Sequence, residues 1–214
     1  MKLSRLPGLI VAIALLASCG KEESLEEPFR GNSCDYAPYT AGSSFEYEQT
    51  GGDPADTFQY ILVAKGDTVF NGETYLWLED DASSGFSLFK CGEGEYEQLV
   101  DVSNIPYAPA DPVKTVYLRD DLPRGGSWIE QLPLTIPGVG DLLLVMQYTI
   151  VEKGTNKTVL GKEYSDVIGV QMDVSMPPLI PAQVLSTSFY AKGVGLIQAD
   201  REEDTTRLVT YTIR

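Results

Sequence analysis

The sequence contains no histidine. Histidine is the commonest general acid–base group near neutral pH, so Ser-His-Asp and Cys-His nucleophilic systems are excluded outright. No G-x-S-x-G elbow is present either: "AGSSF", "SSGFS" and "GGSWI" all lack the pattern. Cations are scarce, with 16 Lys and Arg against 31 Asp and Glu and a formal charge of −15. Such a chain is unsuited to nucleic acid, whose binding rests on cation–phosphate contacts, and to anionic lipid headgroups. Cysteine occurs at only three positions, and without histidine these make no zinc site of the usual kind. The acidic cluster "ADREEDTT" (199–206) lacks the D-x-D-x-D-G spacing of a calcium loop. Gly193 and Gly195 are followed by no helix start, which argues against a phosphate loop and leaves them as sites of positive φ or close backbone approach. No metal or cofactor is expected. Long apolar runs are missing too. The run at 9–17, "LIVAIALLA", falls short of the roughly 20 residues that span a bilayer.

That short run is informative. Lys2 and Arg5 precede it and small residues close it, which is the layout of a secretory signal peptide. Its end, Leu16-Ala17-Ser18-Cys19, resembles the lipobox of bacterial lipoproteins. The resemblance implies that residues 1–18 are removed and that the Cys19 thiol is acylated, with palmitate or a similar chain. Losing Lys2 and Arg5 takes the charge from −15 to −17. Each buried methylene contributes roughly 0.8 kcal/mol and stable anchoring needs more than one chain. Several acyl chains on Cys19 would therefore hold the mature protein on its membrane. Lys21-Glu22-Glu23 follows at once and resembles the surface-export tag of Bacteroidota lipoproteins. It implies passage to the extracellular face of the outer membrane. Residues 19–33 carry no apolar period and read as a flexible tether. With Cys19 acylated, Cys34 and Cys91 remain, and in an oxidising compartment a single structural disulfide is the natural pairing.

Residues 34–214 are expected to form one all-β domain. Short alternating runs rich in aromatic and β-branched residues are split by Gly, Pro, Asn and Asp. They lie at 44–49, 57–64, 73–79, 85–91, 95–100, 115–120, 127–131, 142–151, 166–174, 186–191, 195–200 and 207–213. The proline-rich "SMPPLIPAQ" (175–183) reads as a loop. Two stretches are alike: "QYILVAKGDTVFNGETY" (59–75) and "QYTIVEKGTNKTVLGKEY" (147–164). Flanking features recur in the same order, so residues 42–100 and 125–200 read as an internal duplication of one antiparallel meander. Asn71-Gly72 suits a type I′ hairpin turn and Gly161-Lys162 a type II′ turn. Aligning those turns sets Thr74, not Tyr75, opposite Tyr164, an offset that a β-bulge in one copy would absorb. A curved open barrel and a two-layer sandwich would both bury the aromatics. "FYAKGVGLIQAD" and "CDYAPYTAGSSFEYE" resemble stretches of uncharacterised all-β lipoproteins of the same phylum, which implies a location and a fold but no activity.

Paired carboxylates are the remaining catalytic option, as in a glycosidase. Glu79-Asp80-Asp81 and Asp120-Asp121 are the candidates, and their plain reading is solvated acids at strand ends. Tyr75 with Trp77, and Phe58 with Tyr60, read as core rather than as sugar-binding platforms. Val145, Ile168 and Val170 are candidates to line a concave apolar face. The functional expectation is a binding or assembly module rather than an enzyme, with a glycan, lipid or protein partner. An accessory subunit of an envelope complex, a carrier of an apolar ligand and a carboxylate hydrolase stand beside it. An enclosed apolar cavity would favour the carrier.

Overall fold

The computed structural model describes residues 34–51, 57–80, 86–100, 102, 107, 109 and 111–214. Cys19, Lys21, Glu22, Glu23 and Asp81 lie outside the described residues. The first half carries β1 (Ser44–Gly51), β2 (Thr57–Phe70), β3 (Glu73–Asp80), β4 (Phe86–Gly92), β5 (Glu95–Val100) and β6 (Val113–Arg119). The second carries β7 (Ser127–Ile136), β8 (Gly140–Val159), β9 (Lys162–Met176), β10 (Ile180–Ala191), β11 (Gly195–Arg201) and β12 (Asp204–Thr212). No helix occurs among the described residues.

All twelve strands belong to one antiparallel sheet, in the order β6-β5-β4-β3-β2-β1-β12-β11-β10-β9-β8-β7. Every strand pairs with its chain neighbour except at one place, and β1 pairs with β12 to join the two halves. The sheet curls into a nearly closed barrel with a single seam between its edge strands β6 and β7. The barrel reading thus holds, and the two-layer sandwich is set aside because there is one sheet, not two.

Alternation explains the curl. On β1, Phe45 and Tyr47 point inward, opposite Leu62 and Tyr60 of β2 on one side and Tyr211 and Leu208 of β12 on the other. Leu118, Ile150, Ile168, Ile197 and Leu208 are all but fully buried. Each aliphatic side chain buried this way stabilises the fold by roughly 1.5–3 kcal/mol. Of the aromatic pairs, Tyr75 is core and Tyr60 stacks on Tyr47 at 5.4 Å, but Phe58 is 51% and Trp77 39% exposed.

Two readings of local structure need correction. Residues 175–183 are not a loop: β9 runs to Met176 and β10 starts at Ile180, so only 177–179 turn. Pro177 and Pro178 sit in the turn itself. Pro181 lies where the β9–β10 register slips between Ile180 and Gln183, so its missing N–H breaks no ladder bond. The turn between β8 and β9 is Leu160-Gly161, with φ of 49° and 79°, matching Asn71 and Gly72 at 50° and 81°. Both are therefore type I′ in φ. Tyr164 then follows Gly161 at the same interval as Tyr75 follows Gly72, and both rings are buried. No bulge is needed there. The two halves also begin alike. Gly42 and Gly125 each have φ of 85°. Their N–H groups donate to Ala64 O at 2.8 Å and Ile150 O at 2.7 Å.

In a meander the connections alternate between two ends. Those after even-numbered strands, together with the residues before β1 and after β12, share one end, which we call the near end. Residues 34–43 cross this end. Cys34 is joined to Cys91 of β4 by a disulfide with Cα atoms 5.7 Å apart. Asp35 O accepts from Gly193 N at 2.6 Å, and Asp35 pairs with Lys192 at 3.2 Å. Tyr36 and Ala37 are buried, and Tyr39 meets the rings of Phe45 and Phe89 edge-on at 5.0 and 5.7 Å. Gly195 makes room for it: a Cβ there would lie 2.8 Å from Tyr39 Oη, and its φ is 99°. The expectation of positive φ or close approach at Gly193 and Gly195 is met, with φ of 72° at Gly193.

Candidate functional site

Packing across the lumen is interrupted partway along the barrel. Tyr117 of β6 and Tyr190 of β10 meet across the lumen with ring centroids 5.6 Å apart. Beyond them, toward the far end, lies a cavity of about 270 Å³. Strands on both sides of the seam line it. Val100, Val113, Leu132, Leu144, Met146 and Val170 supply most of its apolar wall. The alternation of strands explains this set, since every second residue of β6, β8 and β10 faces the lumen. Toward the mouth, Val102, Leu132 and Leu134 are buried together, with Met176 against them.

Polar groups interrupt this wall at a few points. Thr115 stands two residues before Tyr117, and Ser186 and Ser188 stand four and two residues before Tyr190. Gln98 lies opposite Thr115 in the β5–β6 register. No Asp, Glu, Lys or Arg is among the described residues lining the cavity. Burial pushes the Tyr148 phenol up to about 12. It raises Tyr117 and Tyr190 further, the latter partly offset by the Ser188 hydroxyl. The cause is loss of water around the ionised form, so the tyrosines mark a weakly solvating interior.

A second hollow of about 300 Å³ lies under the near-end segment, between Ala37, Pro38, Tyr39, Leu76 and Phe89. Tyr117 borders both spaces. Burial pushes Tyr39 up to about 12 here.

The seam is held by side chains in place of a ladder. Trp128 Nε1–H of β7 donates to Val116 O of β6 at 2.8 Å. Glu130 Oε1 accepts from Val116 N–H at 3.2 Å. Trp128 also stacks on Tyr148 at 5.2 Å and 7°. Burial raises the Glu130 carboxyl, against the lowering effect of the Val116 N–H.

The acids singled out from sequence are dispersed. Glu79 pairs with Lys65 at 2.8 Å and Asp121 with Arg119 at 2.9 Å. Asp120 is not a solvated turn acid: it is buried, and its Oδ2 accepts from Tyr96 OH at 2.7 Å. Its Oδ1 is buried without a hydrogen-bond partner. Burial raises this carboxyl, with the Tyr96 hydrogen bond acting the other way. In the 199–206 stretch, Asp204 pairs with Arg201 at 2.8 Å and Asp200 accepts from Gln198. Among the described residues no group of three His, Cys, Asp or Glu side chains is placed to hold a metal ion.

Of the three residues suggested for a concave apolar face, Val170 lines the cavity and Ile168 is buried in the adjoining core. Val145 is not among the lining residues; its neighbours Leu144 and Met146 are. Sequence reasoning missed Thr115, Ser186 and Ser188. The signal was available: small residues at inward positions of otherwise apolar strands leave space that nothing else fills.

Far-end hairpins expose apolar side chains, among them Val139, Leu143, Leu179, Val184 and Leu185.

No family model matches the sequence, and no curated protein does. Two solved structures share its shape in part. A protein described as exported, with YmcC-like fold, from Bacteroides fragilis is 12% identical, with a TM-score of 0.49 over 82% of this chain and 97% of that one. A protein described as a lipoprotein, from Parabacteroides distasonis, is 9% identical, with a TM-score of 0.48 over 83% of this chain and 98% of that one.

Proposed function

We propose that this chain is a lipid-anchored envelope protein that binds a small apolar ligand inside its barrel. The observation that carries the reading is the cavity of about 270 Å³ beside the seam, walled by aliphatic side chains. An apolar cavity of about 150 Å³ already takes up benzene, and ligand pockets run from about 300 Å³ upward. The space thus fits a compact ligand or the end of a longer chain. The anchor is Cys19, and Lys21, Glu22 and Glu23 direct the protein to the extracellular face of the outer membrane. In this reading residues 42–100 and 125–200 are copies of one meander, which the matched glycines and turns at their starts and hairpins support.

The test is titration of the purified domain with N-phenyl-1-naphthylamine, a neutral dye that brightens in apolar surroundings. Saturable brightening is expected, lost in a Val113→Trp variant that fills the cavity and kept in a Val209→Trp variant on the exposed side of β12. Equal brightening in both variants would overturn the reading. A second reading, docking of a protein partner, is favoured by the exposed apolar side chains Val139, Leu179, Val184 and Leu185 at the far end.

A further inference from the structure

The ligand-binding reading leaves the class of ligand open, and the polar atoms of the cavity narrow it. They are not scattered. Tyr117 and Tyr190 close the floor with rings 5.6 Å apart. Thr115 and Ser188 each stand one inward position above those tyrosines, with Gln98 beside Thr115 and Ser186 one position further out. Toward the mouth the wall becomes aliphatic, with Val100, Val102, Val113, Leu132 and Leu144. The deep part therefore offers hydroxyl and amide groups that donate and accept one hydrogen bond at a time. No Lys or Arg is among the described residues that line it. Glu130 of β7, close to the lining residue Leu132 in sequence, is turned to the seam, where Val116 N–H holds it.

From this arrangement we infer that the ligand is an uncharged amphiphile, an aliphatic chain ending in a hydroxyl or carbonyl, bound with its polar end at the tyrosine floor and its tail toward the mouth. The inference rests on the ligand-binding reading above and goes further by excluding carboxylates. An ionised carboxylate brought to the floor would give up its water and meet no cation, a loss that partial hydrogen bonding does not recover. An alcohol or carbonyl loses far less, and the threonine and serine hydroxyls replace its water. The raised phenols of Tyr117 and Tyr190 report the same reluctance to hold negative charge at this place.

The experiment is displacement of bound N-phenyl-1-naphthylamine by 1-decanol, decane and decanoate near pH 7.5. Decanol is expected to displace the dye at a concentration at least about tenfold below decanoate, a difference of roughly 1.4 kcal/mol. A triple variant, Thr115→Val with Ser186→Ala and Ser188→Ala, keeps the apolar wall. Measured against its own affinity for the dye, it is expected to lose most of the preference for decanol over decane. Decanoate displacing as well as decanol, or a preference for decanol unchanged in the triple variant, overturns this inference and leaves the apolar-ligand reading standing. Failure of the dye to bind at all overturns both.

Discussion

The indole Nε1–H of Trp128 lies 2.8 Å from the carbonyl oxygen of Val116, and this contact bridges two strands that share no backbone ladder. With Glu130 Oε1 accepting the N–H of the same residue at 3.2 Å, both backbone polar groups of Val116 are satisfied by side chains from β7. An unsatisfied buried backbone group costs about 1–3 kcal/mol. Two side chains thus do at the seam what a ladder does elsewhere in the sheet.

Removing this clasp should loosen the seam before it unfolds the barrel. Trp128→Phe keeps a ring against Tyr148 but loses the donor, and Glu130→Ala frees the Val116 N–H. Each is expected to lower unfolding stability by about 1–2 kcal/mol in urea titrations. Amide exchange at Val116 should speed up more in Glu130→Ala than exchange in β11, which has a strand partner on each side. Equal acceleration in both strands would mean that the seam opens only on global unfolding.

Two carboxyls make stability fall as pH rises. Burial raises both Asp120 and Glu130 in the folded state. The folded protein therefore holds these protons more tightly than the unfolded chain. Their contribution is fully present below the unfolded values, about 4, and is lost as pH climbs through the folded values. Asp120→Asn retains an acceptor for Tyr96 and removes the titration. Urea midpoints measured from pH 4 to 7 should decline less steeply in this variant than in the wild type. An unchanged slope would show that Asp120 titrates normally.

The disulfide should be a large single contributor. Cys34 and Cys91 are 57 residues apart, and closing a loop of that length stabilises by roughly 4 kcal/mol in the chain-entropy model. The Cys34→Ser, Cys91→Ser protein is expected to lose a stability of this order in chemical denaturation. It should also let Tyr36 and Tyr39 leave the near end, which proteolysis before residue 44 would detect. Retained resistance there would assign the segment's hold to Asp35, Tyr36 and Tyr39 instead.

The anchor is open to a direct check. Palmitate labelling of the full chain should vanish in Cys19→Ala. Protease added to intact cells should degrade the wild-type protein, and replacing Lys21, Glu22 and Glu23 by alanine should protect it. Labelling that persists in Cys19→Ala would remove the anchor, and full protection of the wild type would remove the surface location.

Much of the fold was legible because the aromatic and β-branched runs alternate with a period of two. All twelve runs became strands, in one meander. What was not legible had specific causes. The C-terminal part of β8, "EKGTNKTV", is polar and holds Gly154, so local pattern hides a strand that pairing with β9 enforces. The prolines of 175–183 imitate a loop because the bulge that tolerates Pro181 depends on β9. Asp120 looked solvated because its cover, Tyr96, comes from another strand and Tyr36 from the segment across the near end. The cavity was the least visible feature. It is produced by what Thr115, Ser186 and Ser188 fail to fill, and an empty volume depends on many strands at once.

The pairing of β1 with β12 has a consequence for how the protein comes to be. β1 waits for β12, so the half made earliest must persist with an open, hydrogen-bond-hungry border until residues 204–212 have been made. Contacts this distant in sequence form slowly, since the whole intervening chain must be gathered to make them. Maturation is thereby tied to the making of β12: a chain cut short before residue 204 lacks the strand that joins the two halves. A cell that checks for exposed strand borders would recognise such a product as unfinished.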